Sequence, residues 1–73
     1  MPKFEVGVYN RLVAEAVATG EHHRHFPDSW ADTHYIDVEA EDAKAARRKI
    51  EVQHSEKNGF VILSVEPKRD DAI

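Results

Sequence analysis

The sequence predicts a small α+β domain, a two-layer sandwich in which two helices cover one face of a three-stranded sheet. Three segments alternate apolar and polar residues with the period of a strand, and the two segments between them are rich in alanine. This gives the element order β-α-β-α-β. Because 73 residues are enough for one domain, we expect a single domain over residues 1–67 and a loose charged tail over residues 68–73.

The first strand is predicted at residues 3–9, where apolar residues occupy every second position. The first helix follows directly, since Asn10 is a favourable N-cap and Gly20 is placed to end the helix in a left-handed conformation. Residues 12–19 also alternate, so a returning hairpin strand is the competing interpretation. The alanines of this segment favour the helix.

The second strand is predicted at residues 33–40, the second helix at residues 42–55 and the third strand at residues 60–66, ended by Pro67. Acidic residues at the start of the second helix and basic residues farther along suit its dipole. The connection through this helix predicts that strands two and three run parallel, either as neighbours or with the other strand between them. The direction of the first strand is left open.

Alternation assigns the apolar strand residues to two faces of the sheet. The inner face, under the helices, is expected to take Phe4, Val6, Val8, Ile36, Val38, Val61, Leu63 and Val65. The outer face would then carry Tyr9, Tyr35, Phe60 and Ile62. Two interpretations are open: the loop residues Phe26 and Trp30 fold over this outer face and complete the core, or a second protein chain covers it.

Residues 20–35 contain four of the five histidines and the only tryptophan. Imidazole nitrogens bind zinc and nickel, so His22, His25 and His34 are the candidate ligands of a metal site. Neighbouring loop histidines point in different directions, which favours a solvated loop. We therefore expect no cofactor, and metal binding through residues 22–34 is the alternative function. Titration of these histidines near pH 6.5 is a further hypothesis.

Several function classes are disfavoured by composition. The absence of cysteine removes thiolate metal sites and cysteine nucleophiles, and no serine or glycine motif of a known catalytic type occurs, so we expect no enzyme activity. With 14 acidic against 10 basic residues, the net charge of -4 argues against nucleic acid as the main partner. The lack of a long apolar run predicts no membrane span and a cytoplasmic location.

Three stretches of the sequence, FEVGVYN, SWADTHYIDVEAEDAKAARRKI and GFVILSVEP, resemble small bacterial α+β proteins without an assigned function. The resemblance covers most of the chain, and its motifs are also typical of ribosome-associated and phage-encoded α+β domains. It implies a bacterial origin and transfers no site residues.

These observations predict a non-enzymatic module that binds a protein partner or a second copy of itself. The predicted interaction surface consists of the outer-face residues together with the two loop aromatics: Tyr9, Tyr35, Phe60, Ile62, Phe26 and Trp30. Pairing at an open strand edge is a second route to a dimer.

Overall fold

In the computed structural model, which describes residues 2–68, three strands and two helices alternate in the predicted order. They are β1 (Lys3–Asn10), α1 (Arg11–Ala18), β2 (His34–Glu39), α2 (Ala43–Gln53) and β3 (Phe60–Lys68). Short 3₁₀ turns lie at Asp28–Ala31 and Glu56–Asn58. The predicted α+β class and the order of its elements are confirmed.

The strands form one sheet with the order β2-β1-β3, and β1 runs antiparallel to both neighbours. Strands β2 and β3 are therefore parallel to each other with β1 between them, which is the second of the two predicted arrangements. This topology places β1 at the centre and leaves β2 and β3 at the two edges.

An irregularity in β3 changes which residues face the core. Ile62 pairs with Val8 and Ser64 pairs with Gly7, so Leu63 has no counterpart on β1. An extra residue of this kind, a β-bulge, places two successive side chains on the same side of the sheet. The alternation of β3 before the bulge is therefore opposite to the one that the sequence pattern predicts.

Because of the bulge, four residues of β3 lie on the face of the sheet opposite to the predicted one. Phe60 is only 6% exposed and belongs to the core, and Ile62 packs against the same core, so their predicted place on the outer face is wrong. Val61 pairs with Tyr9 on the outer face, and Leu63 is 56% exposed. The prediction that Val61 and Leu63 point inward is therefore wrong.

The core lies between the inner face of the sheet and α2. Ala46 and Ile50 of α2 are fully buried there, whereas Ala43, the first residue of this helix, is exposed. Phe26 and Trp30 are partly buried against this core. The loop residues Phe26 and Trp30 therefore complete the core, but they do so on the inner face, and the predicted place of this loop over the outer face is wrong.

The predicted ends of α1 are confirmed. The Asn10 side chain accepts hydrogen bonds from the backbone of the first turn, and Gly20 has a φ of 77°. After the helix, the Glu21 N–H donates to the carbonyl of Ala16 at 2.7 Å and the Gly20 N–H to that of Val17 at 3.0 Å. These bonds form the glycine-dependent helix ending known as a Schellman motif.

The end of β3 extends past the predicted stop. Pro67 pairs with Phe4, and the strand ends at Lys68. Since β3 is an edge strand, the missing N–H of Pro67 removes no bond from the sheet. Lys68, the first residue of the predicted tail, thus belongs to the sheet, and the rest of that tail, residues 69–73, lies outside the described residues.

Asn10 joins the start of α1 to the connection before β3. Its fully buried side chain accepts from the N–H groups of Leu12 and Val13 at 3.0 and 3.1 Å, and its Nδ2 donates to the Asn58 carbonyl at 3.0 Å. The Arg11 N–H donates to the Gly59 carbonyl at 2.8 Å. One amide therefore satisfies backbone groups of two distant segments.

We expect Asn10→Ala to lower the free energy of unfolding by about 2–3 kcal/mol, because it removes an N-cap and the hydrogen bond that the buried Asn10 amide donates to the Asn58 carbonyl. Asp42→Ala is the matched control, since Asp42 caps α2 at an exposed position by accepting from Ala45 at 2.8 Å. Its loss should cost about 1 kcal/mol. Urea denaturation measures both, and equal losses would show that the bond to Asn58 contributes nothing.

A second comparison separates backbone strain from steric clash. Gly20 and Gly59 both have positive φ, 77° and 96°. A Cβ on Gly20 would meet no atom within 4 Å, whereas one on Gly59 would lie 2.7 Å from Asn10 Oδ1 and from Leu12 Cγ. We expect Gly20→Ala to cost about 1–2 kcal/mol and Gly59→Ala a further 1–3 kcal/mol. Thermal denaturation of both variants tests this, and similar melting temperatures would contradict the clash.

Candidate functional site

The open part of the outer sheet face is the candidate interaction surface. We call it the outer patch, and it consists of Tyr9, Tyr35, Val61 and Leu63. Tyr35 is 66% exposed and Leu63 is 56% exposed. The large side chains of Tyr35 and Leu63 are thus exposed to solvent on one face of the sheet, outside the hydrophobic core.

Gly7 lies at the centre of the outer patch and permits its geometry. It pairs with Tyr35 on one side and with Ser64 on the other. A Cβ on Gly7 would lie 3.3 Å from Cε1 of Tyr35 and 2.8 Å from Oγ of Ser64. The absence of a side chain at this position therefore lets the Tyr35 ring lie over the backbone of β1.

The other half of the outer face is charged. Lys68 on β3 reaches Asp37 on β2, with 2.7 Å between Nζ and Oδ2. The hydrogen bond and the negative charge of Asp37 raise the pKa of Lys68 above its ordinary value. In the register of the sheet this face carries four carboxylates against two ammonium groups: Glu5, Asp37, Glu39 and Glu66 against Lys3 and Lys68. It is therefore acidic beside the outer patch.

The inner face holds the other predicted surface residues in a ring cluster around Phe60. The centroid of the Phe60 ring lies 5.0 Å from that of Phe26, 5.1 Å from Trp30 and 5.0 Å from His54. Edge-to-face contacts of the first two pairs are favourable arrangements for aromatic rings. The six residues predicted as one surface are therefore divided: Tyr9 and Tyr35 lie outside, whereas Phe60, Ile62, Phe26 and Trp30 pack inward.

The loop histidines have separate neighbours. Nδ1 of His22 lies 2.8 Å from the Asp28 carboxylate. Nε2 of His34 lies 2.9 Å from the Ser29 carbonyl, and because a carbonyl only accepts, this nitrogen carries the proton. Among residues 2–68 no three histidine or carboxylate side chains are arranged to hold a metal ion. The structure does not bring His22, His25 and His34 together.

A cleft of about 150 Å³ lies between α2 and the beginning of β3. Its lining includes Arg11, Arg47, Glu51 and His54, above the ring of Phe60. Arg47 and Glu51, which are separated by one turn of α2, form an exposed ion pair with 3.6 Å between Nε and Oε2. The opposite charges of the cleft thus partly compensate each other, and such exposed pairs contribute little to stability.

No known family model matches this sequence, and neither the curated proteins nor the solved structures include one that is significantly similar. The resemblance to small bacterial proteins and the cytoplasmic location therefore stay predictions. Within residues 2–68, no helix has the length and apolar character that crossing a membrane requires.

The pair of His22 and Asp28 has a defined pH dependence. The hydrogen bond and charge of Asp28 raise the pKa of His22 above 6.5. Since the folded-state pKa is the higher one, the pair stabilises the folded chain below pH 6.5, and this contribution is lost as the pH rises through the folded-state value. Both side chains are strongly exposed, so the effect on stability is small.

We expect Asp28→Asn to lower the pKa of His22 toward its ordinary value, which an NMR titration of the imidazole signals measures. Asp32→Asn is the control, because Asp32 is a loop carboxylate of the same charge that forms no ion pair with His22. It should leave the titration of His22 nearly unchanged. Equal shifts in both variants would indicate a general charge effect and contradict the specific pair.

Proposed function

We propose that this protein is a non-enzymatic interaction module that binds a partner protein through the outer patch. The observation that carries the proposal is the exposure of Tyr35 and Leu63 on one face of the sheet, on either side of Gly7. Exposed apolar residues grouped on one surface are typical of protein interfaces. Burial of these side chains by a partner would release their hydration water and favour association.

The sheet also supplies a rigid support for this contact. Tyr35 and Gly7 lie in paired strands, so little backbone freedom is lost when a partner binds. Tyrosine is frequent among the residues that dominate binding energy, because its ring offers a large area and few rotatable bonds. The hydroxyl of Tyr35 adds a hydrogen-bonding group to this surface.

The charged half of the outer face indicates the chemistry of the partner. Lys68 pairs with Asp37, and Lys3 is the second ammonium group of this face, so the four carboxylates keep an excess of two negative charges beside the outer patch. A matching partner surface has apolar residues flanked by lysine or arginine. Charges at the rim of an interface mainly increase the association rate and the selectivity.

We expect Leu63→Ser and Tyr35→Ser to reduce partner binding by about tenfold or more, because each removes an apolar contact at the centre of the outer patch. Folding should change by less than about 0.5 kcal/mol for Leu63→Ser, since the side chain is exposed. The test is quantitative affinity capture from extracts of the source cells, with wild type and variants as bait, followed by binding titration with the purified partner.

Val17→Ser is the control, because Val17 is an exposed apolar residue of α1, at 40% exposure. A partner that is lost with Leu63→Ser and retained with Val17→Ser supports the proposal. If no captured protein distinguishes these two baits, the outer patch is not a binding surface. Phe60→Ser is unsuitable for this test, because it removes a core ring and should destabilise the fold by about 3–5 kcal/mol.

A further inference from the structure

The free edge of β2 carries backbone groups that no other strand of the described chain uses. The Ala40 N–H donates to the Pro2 carbonyl at 3.1 Å, which fixes the alternation of the β1–β2 ladder. In an antiparallel ladder, every second residue directs its N–H and C=O away from the partner strand. On β2 these residues are Tyr35, Asp37 and Glu39.

The two edges of the sheet differ in their ability to accept another strand. The outer edge of β3 contains the bulge at Leu63 and a proline at position 67, and both features hinder further pairing. Within β2 there is neither a bulge nor a proline. The Lys49 ammonium donates to the Glu39 carbonyl, so the groups of Tyr35 and Asp37 are the ones that face the open edge.

An apolar groove of about 460 Å³ runs beside the same edge. Its apolar residues are Val38 of β2 and Ala45 and Val52 of α2, and Val52 is 80% exposed. Arg48 and Lys49 form its basic rim. A strand added to β2 would place its own inward side chains beside Val38 and against Val52, so hydrogen bonding and apolar burial would occur together.

We propose that this edge pairs with β2 of a second copy, antiparallel and centred on Ile36, to give a two-fold dimer with a continuous six-stranded sheet. In this register Tyr35 of each copy lies opposite Asp37 of the other, and their open backbone groups form hydrogen bonds. Centring on Asp37 would oppose two carboxylates, and centring on Val38 would oppose Asp37 and Glu39, which is unfavourable.

The inner face of the new pair is also self-complementary. Ile36 of one copy lies opposite Ile36 of the other, so an apolar pair lies on the two-fold axis. His34 lies opposite Val38, and its ring is stacked on that of Trp30 with 4.0 Å between the centroids. The arrangement uses the same surface on both copies and therefore closes as a dimer. It uses backbone groups and the α2 groove, whereas partner binding at the outer patch uses the exposed side chains of Tyr35 and Leu63.

Amide hydrogen exchange of the full chain at micromolar and millimolar concentrations tests the pairing directly. Dimerisation should slow exchange of the Tyr35 and Asp37 amides at least tenfold at the higher concentration. The Val65 amide, which by the same alternation lies on the open edge of β3, is the internal control and should not change. Equal exchange of Tyr35 and Asp37 at both concentrations, with a monomer mass in sedimentation, would overturn the proposal.

Asp37→Pro removes the N–H at the open edge and spares the ladder to β1, because that N–H points away from β1. Loss of one hydrogen bond per copy should weaken the dimer by about thirtyfold in sedimentation equilibrium. Asp37→Ala, the matched control, loses the same ion pair with Lys68 and keeps the N–H, and it should dimerise within about threefold of wild type.

Two further variants separate this dimer from contacts at other surfaces. Val52→Ser should weaken it, because Val52 is covered by the added strand, whereas Leu63→Ser should leave it intact. A dimer that survives Asp37→Pro, or one that Leu63→Ser dissociates, would overturn the edge pairing. If Asp37→Pro does not fold, the concentration dependence of amide exchange in the wild-type chain decides alone.

Discussion

The buried side chain of Asn10 is the constraint on which the other connections of this fold depend. Its oxygen accepts hydrogen bonds from the N–H groups of Leu12 and Val13 at the start of α1. Its Nδ2 donates to the carbonyl of Asn58, in the segment that connects α2 to β3. The space beside it admits only a glycine at position 59. Because Phe60 follows at once and pairs with Asn10, the same contacts direct its ring toward the core.

The bulge in β3 determines which residues of this strand face the core and which face outward. Phe60 and Ile62 pack inward, and Phe26 and Trp30 pack against the same core from the long loop. A domain of this size buries little apolar surface, so two aromatic side chains from a loop add substantially to its hydrophobic core. The bulge therefore places Phe60 in the core and Leu63 in the outer patch.

The two proposed contacts use different parts of β2. The outer patch uses the exposed ring of Tyr35, whereas edge pairing uses its backbone groups and those of Asp37. In the two-fold dimer, both outer patches would lie on the same side of one continuous sheet. A partner with two matching surfaces would then bind both copies, and linkage of the two contacts would raise its overall affinity.

The sequence by itself determined the element types, their order and the ends of α1, because alternation, alanine content, Asn10 and Gly20 act through local backbone geometry. It also identified Tyr9 and Tyr35 as outer-face residues. Only the tertiary structure decided the position of Phe60 and Leu63, since a bulge depends on the partner strand and leaves no trace in the pattern of β3 alone. It likewise decided that the loop histidines stay apart and that β1 lies between β2 and β3, because contacts between distant segments fix both arrangements.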